Sequence, residues 1–244
     1  MNLNDKVIVV TGGSGLLGKA MISYIKSLGG IAIEADIHKE TDLANNYIHF
    51  DVCSESSIQN AYDIIKNKFG KIDGIVNNAY PRTKDWGAKF EDISVQSWKD
   101  NIDLQLNSVF VCIQKIMPYL LESKGSVVNI ASIYGVVGND LTMYEGTKIN
   151  TAAPYAAIKG GLINFTRYLA SYYGKSGVRF NCVSPGGIFD HQDPKFVSNY
   201  NSKCPMGRMG LPEDIAPSVA FLLSNDAGYI TGQNIIVDGG WTAI

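Results

Sequence analysis

The chain has 244 residues, 45% of them hydrophobic and 18% charged, with a formal charge of −2. A globule of this length buries most of its apolar surface without metal or disulfide support, and its near-neutral charge excludes a global pull toward nucleic acid or anionic membrane. Cys53, Cys112, Cys182 and Cys204 are scattered and form no C-x-x-C pair, which argues against a zinc site or a disulfide framework and for a reducing, cytoplasmic setting.

The N-terminal "MNLNDKVIVV" lacks the basic and then apolar pattern of a signal peptide, and no apolar run approaches bilayer-spanning length. "KVIVVTGGSGLLGKAMISYIKSLGG" reads as strand, glycine-rich turn and helix. "IAIEAD" (31–36) is a second strand, and a short apolar run precedes Asp51 and Val52. "SESSIQNAYDIIKNKFG" is helical, with Ser54 or Ser56 as its cap. "KIDGIVNNA" is a further strand. A long helix is expected over 95–121, with Pro118 bending its end. "GSVVNIAS", a helix over 155–173, "VRFNCVS", a short helix "PEDIAPSVAFLLS" and a last strand "QNIIVDGG" complete the pattern. Strands apolar on both faces alternating with helices imply one α/β domain over 1–244: a Rossmann-type, doubly wound parallel sheet with helices on both faces. Segments near 80–94, 136–153 and 187–210 read as irregular insertions.

The turn "TGGSGLLG" (11–18) lies between the first strand and the first helix. Glycines there let the backbone approach a pyrophosphate, which a helix N-terminus also attracts. Gly12, Ser14, Gly15, Leu16 and Leu17 are the candidate cofactor contacts. Asp36, at the end of the second strand, suits the ribose hydroxyls and would repel a 2′-phosphate, favouring NAD over NADP. Asp51 and Val52 are placed to line the adenine pocket. His191 with Asp190 and Asp193 lacks a distant fourth ligand, and no metal is assigned.

"YEGTKINTAAPYAAIK" (144–159) holds two Tyr-x-x-x-Lys pairs. Gly146, Asn150, Thr151 and Pro154 interrupt any helix after Tyr144. Pro154 instead favours a helix starting at Tyr155, continued by Ile158, Leu162, Phe165 and Leu169 at helical spacing. Tyr155 and Lys159 therefore share one helical face. A nearby ammonium stabilises a phenolate, so such a tyrosine can exchange a proton with an alcohol or carbonyl.

With these motifs in view, the chain resembles the short-chain dehydrogenase/reductase family over nearly its whole length. The match includes "TGGSGLLG", Asp36, "DV" (51–52), "NNA" (77–79), "VVNIAS" ending in Ser132, "YAAIKGG", "RFNCVSPGG", "GRMGLPEDIA" and "YITGQNIIVDGG". The resemblance implies that Tyr155 is the acid/base, that Lys159 lowers its pKa and binds the nicotinamide ribose, and that Ser132 hydrogen-bonds the substrate oxygen. It implies further that Asn77, Asn78 and Ala79 line the cofactor cleft, and that Pro185, Gly186 and Ile188 lie beside the nicotinamide. It also implies a homo-oligomer, a tetramer or dimer, built partly on the helices over 95–121 and 155–173.

Several positions depart from the family pattern. Leu16 stands at the third turn glycine, and Tyr80 follows "NNA" where glycine is usual. Gln105 occupies the position of the catalytic asparagine, with Asn107 two residues on. The stretch between Ser132 and Tyr155 is longer than usual and contains the first tyrosine pair. The pocket segments "YPRTKDWGAKF", "IYGVVGNDLTMYEGTKINTAA" and "GGIFDHQDPKFVSNYNSKC" are polar, which suggests a sugar-like substrate, with Arg82, Lys84 or Lys89 for an anionic group. The pattern is also similar to oxidoreductases of flagellin modification and nonulosonate synthesis. The expected activity is NAD-dependent interconversion of a secondary alcohol and a ketone on a small-molecule substrate. Its rivals are reduction of a 3-oxoacyl thioester and a non-catalytic NAD-binding regulatory module.

Overall fold

The computed structural model covers Met1–Ile244. Its centre is a seven-stranded sheet in the order β3-β2-β1-β4-β5-β6-β7. Every neighbouring pair is parallel. The strands are β1 (Val7–Thr11), β2 (Ile31–Asp36), β3 (Tyr47–His49), β4 (Gly74–Asn77), β5 (Ser126–Ile130), β6 (Arg179–Pro185) and β7 (Asn234–Val237). β1, β4 and β5 are buried along their full length, as their continuous apolar runs require.

One face of the sheet is covered by α2 (Glu55–Phe69), α4 (Ser108–Ser123) and α5 (Ala153–Tyr173), whose Ile58, Ile65, Ile116, Leu120 and Leu162 pack against Val7, Val9 and Ile75. The other face takes α1 (Leu16–Ser27) and α7 (Pro212–Leu223), through Met21, Ile25, Ile215 and Val219 against Ile8, Val10 and Val128. The order reverses between β1 and β4. Chains leaving these strands at their C-terminal ends diverge to opposite sides and open a crevice, the usual ligand site of this architecture.

Several sequence expectations are refined or corrected, among them that no apolar run approaches bilayer-spanning length. The short apolar run before Asp51 is β3, an edge strand paired with Glu34–Asp36 of β2. The 187–210 segment is not wholly irregular: it contains α6 (Pro194–Lys203), started by Pro194 and capped by Asp193, whose carboxylate accepts from the Lys195 N–H at 2.8 Å. The 95–121 helix divides into α3 (Val95–Ile102), a wide π-type turn (Asp103–Asn107) and α4. Pro118 lies inside α4, which runs on to Ser123. The span Val95–Ser123 is also long and apolar enough, by length and composition, to cross a bilayer. Here Val109, Cys112, Ile113 and Ile116 bury its inner face in the protein core. Of the two candidate caps for α2, Ser54 serves, accepting from the Ser57 N–H at 3.3 Å.

A buried polar ladder crosses the sheet. Asn77 Nδ2 donates to Asn129 Oδ1 at 2.8 Å, and Asn129 Nδ2 donates to Thr166 Oγ1 at 2.9 Å. Thr166 Oγ1 in turn lies 3.1 Å from Cys182 Sγ. It joins β4, β5, α5 and β6.

The first turn is as close as backbone allows. A Cβ on Gly18 would sit 2.3 Å from the Gly12 carbonyl oxygen, and one on Gly12 would sit 2.9 Å from Ala79 Cα. Gly12 also has φ +64°. Overpacking against rigid backbone costs about 2 kcal/mol. Gly18→Ala is therefore expected to lower the unfolding free energy by about that amount and to weaken NADH binding; a thermal melt with a fluorescence titration checks both. Wild-type behaviour in both would show that the turn relaxes freely.

Candidate active site

The crevice at the C-terminal strand ends is a cleft of about 780 Å³. At its nucleotide end, α1 starts at Leu16 with Gly15 as N-cap and no side chain capping it. Its first N–H groups are thus free for an anion. Gly12, Gly15, Leu16 and Leu17 all line the cleft. Ser14 does not: its hydroxyl donates to Glu34 Oε1 at 2.6 Å, which holds its side chain on β2, and its N–H donates to Asp36 Oδ2 at 3.0 Å. Asp36 lines the cleft and is positioned by that bond and by the Ile37 N–H at 2.8 Å. His38 Nε2 stands 3.5 Å from its other oxygen. Asp51 and Val52 line the wall beyond it.

On the β4 side, Asn78 and Ala79 line the cleft. Asn78 Nδ2 donates to the Thr11 and Gly12 carbonyls at 3.0 and 3.1 Å, tying the two strand exits together. Asn77 does not reach the cleft, because it is consumed by the buried ladder. Pro185, Gly186 and Ile188 form the opposite wall at the end of β6.

Ser132, Tyr155 and Lys159 come together in the middle of this cleft. Ser132 follows β5 and opens a short 3₁₀ turn, Ile133–Gly135, accepting the Tyr134 N–H at 3.2 Å. That turn lies directly on α5: a Cβ on Gly135 would be 2.7 Å from the Lys159 carbonyl carbon and 2.9 Å from the Gly160 nitrogen. Only a glycine brings the serine so near the helix. Burial raises the Tyr155 pKa, the neighbouring Ser132 hydroxyl lowers it, and the Tyr144 phenol raises it further.

Lys159 departs from expectation. Its Nζ donates to the Ile130 carbonyl at 2.8 Å and lies 5.5 Å from the centre of the Tyr155 ring. The amine thus sits over the ring, and Ser132 is the group that holds the phenol's pKa down. Burial lowers the Lys159 pKa to about 8, against a small opposing pull from Cys182. With one of its three N–H groups bonded, the ammonium keeps two for ribose hydroxyls.

Gln105 sits on the π-type turn, 5% exposed, and neither its Oε1 nor its Nε2 has a partner within the protein. It does not line the cleft. Asn107 faces out and donates to Asp103 at 3.0 Å, which removes it as an alternative. Arg82, Lys84 and Lys89 are all exposed and do not line the cleft; Arg82 lies over the Tyr80 ring at 5.4 Å.

The substrate end is more aromatic than the segments suggested. Tyr80 does line it, with its ring against Tyr155 at 5.7 Å. Tyr134, Tyr144, Phe196 and Tyr200 line it too. Phe196 and Tyr200 had a sequence signal, their i, i+4 spacing after Asp193-Pro194. Tyr134 had none.

The residues present fit a dinucleotide: an uncapped helix end, a carboxylate at the end of β2 in the cleft, and an amine with one of its three N–H groups bonded. That amine should destabilise the unliganded protein. Its pKa of about 8, against 10.5 in the unfolded chain, corresponds to at most about 3 kcal/mol, reduced by solvent in the cleft. The penalty is full below pH 8, where both states are protonated, and is relieved as pH rises from 8 to 10.5. Lys159→Met should therefore melt several degrees above wild type at pH 7, with the gap closing toward pH 10.5; a variant no more stable at pH 7 would contradict this.

Comparison with known proteins agrees with this geometry. The profile of a family described as Enoyl-(Acyl carrier protein) reductase matches residues 21–242. Post-translational flagellin modification protein A of Campylobacter coli is 33% identical, over 98% of this chain and 99% of its own length. Meso-2,3-butanediol dehydrogenase of Serratia marcescens is 32% identical, over 100% of this chain and 97% of its own. The crystal structure of a short chain dehydrogenase from Leptospira borgpetersenii with bound NAD+ superposes with a TM-score of 0.88 at 34% identity, covering 99% of this chain and 94% of that one. The sheet order, the cleft and these likenesses together establish that the chain belongs to the short-chain dehydrogenase/reductase family, NAD(P)-dependent oxidoreductases that act on CH–OH groups.

Proposed function

We propose that residues 1–244 form one NAD-binding oxidoreductase domain that interconverts a secondary alcohol and a ketone on a polar, sugar-like substrate. The observation that carries this reading is the meeting of the Ser132 hydroxyl, the Tyr155 phenol and the Lys159 amine in a single cleft. Binding alone would not need that set. Asp36, 7% exposed and aimed into the nucleotide end, favours NAD, because a 2′-phosphate would meet a fixed negative charge.

The nicotinamide supplies the hydride acceptor or donor. In the oxidising direction, Ser132 donates a hydrogen bond to the substrate oxygen and Tyr155 accepts its proton. In the reducing direction, Tyr155 returns that proton. Lys159 holds the ribose. Gln105, buried with both amide atoms unpaired, suits a water that carries protons from Lys159 to solvent. A sugar-like substrate is supported by the phenol-rich wall of the cleft, whose hydroxyls suit a ligand with several hydroxyl groups. The four unpaired thiols support a reducing, cytoplasmic location.

The test is a screen of sugars and sugar phosphates with NAD, following NADH absorbance. Tyr155→Phe should lose at least about 100-fold in kcat while still binding NADH; retained turnover would remove Tyr155 from the chemistry.

A homo-oligomer, tetramer or dimer, is supported by an aromatic stripe along α4 and α5. Phe110, Tyr168 and Tyr172 are 47%, 58% and 65% exposed. They are linked by ring contacts through Phe165, and so large a continuous apolar surface is uncommon on a monomer. Light scattering at micromolar concentration should return a dimer or tetramer mass; a monomer would refute it.

A further inference from the structure

The first tyrosine of the doubled pattern, Tyr144, is not idle. Gly146, with φ +75°, turns the chain before any helix can form, and Lys148 is exposed and makes no pair with it. Tyr144 itself ends a 3₁₀ turn, Leu141–Tyr144, and lines the same cleft as Tyr155. Its ring packs on Phe196 at 5.4 Å. Tyr134, two residues after Ser132, lines the cleft beside it.

Both rings pack on the same small cluster of Met143, Phe196 and Tyr200, and the Tyr144 phenol lies near those of Tyr134 and Tyr155. Burial, followed by Tyr144, raises the Tyr134 pKa, so this hydroxyl stays protonated and remains a donor. A phenol has one donor and two acceptor positions. Two neighbouring phenols on one cleft wall therefore offer O–H donors and open lone pairs to a ligand.

The loop that carries Tyr144 is held firmly. Met143 is 1% exposed, and Asn199 Nδ2 donates to the Met143 and Glu145 carbonyls at 3.0 and 3.2 Å. Lys203 bonds to both Asp140 and Thr142. Met143 and Phe196 surround the phenols with apolar surface, so a hydrogen bond made there is poorly replaced by water.

We propose that Tyr134 and Tyr144 form a hydroxyl-binding pair for the alcohol group next to the reacting one, making the enzyme selective for vicinal diols and polyols over isolated secondary alcohols. This assignment rests on the oxidoreductase reading above. The reacting oxygen lies between Ser132 and Tyr155. Tyr134 is joined to the first through the 3₁₀ turn, and Tyr144 neighbours the second. A hydroxyl on the adjacent carbon falls against the phenol pair, whereas a hydrogen there leaves both phenols without that partner.

The experiment compares 2,3-butanediol with 2-butanol, and 1,2-cyclohexanediol with cyclohexanol, in NAD reduction by wild type, Tyr144→Phe and Tyr134→Phe. NADH binding and thermal melts establish that each variant is folded. Wild type should prefer each diol by about 100-fold or more in kcat/KM. In both variants the ratio should collapse to below about 10-fold, with the loss mainly in KM for the diol. A wild type indifferent to the second hydroxyl, or variants that keep the full preference, would overturn the proposal. A wild type that binds NADH yet oxidises none of the four alcohols would overturn the redox reading and this assignment with it.

Discussion

The site depends on one contact between backbones. Gly135 rests on α5 at Lys159 and Gly160 with no room for a Cβ. That contact sets the distance from the end of β5 to the helix, and so from Ser132 to Tyr155. A similar approach, Gly12 against Ala79, closes the nucleotide end. Between these two fixed points the side chains have little choice of place. Catalytic geometry is here a property of the main chain, imposed where side chains are absent.

Much of this was legible in sequence because the signals are local. The alternation of buried strands with amphipathic helices, the glycine turn and Pro154 ahead of Tyr155 all act over a few residues, and the fold obeys them. The exceptions have non-local causes. β3 is three residues long and exists because the edge of β2 offers it partners. The π-type turn at Asp103–Asn107 lies within an uninterrupted helical pattern, and no single residue marks it. The local spacing of Tyr144 points only to Lys148, whereas its neighbours in space, Tyr134 and Phe196, are distant in sequence. Pro118 shows the converse: a local breaker sits inside a helix whose packing carries it through to Ser123.

The site also holds groups that a purely stable protein would not keep. The Gln105 amide is buried without partners, the Lys159 amine is buried with one, and Tyr155 is pushed away from ionisation by its surroundings. Each is costly in the folded state. Tyr155 and Lys159 both line the one cleft, and perturbed titratable groups meeting in a cleft are the pattern expected of a working centre.

The asparagine ladder has a different consequence. Asn77 and Asn129 face each other across β4 and β5, and Cys182 is the β6 partner of Asn129. Were either strand to slide by one residue, two amides would be stranded in hydrocarbon. Apolar strands such as these tolerate many alignments on greasiness alone. The polar rungs penalise every alignment but the native one, so they act as a check on the register of the sheet that carries the cleft.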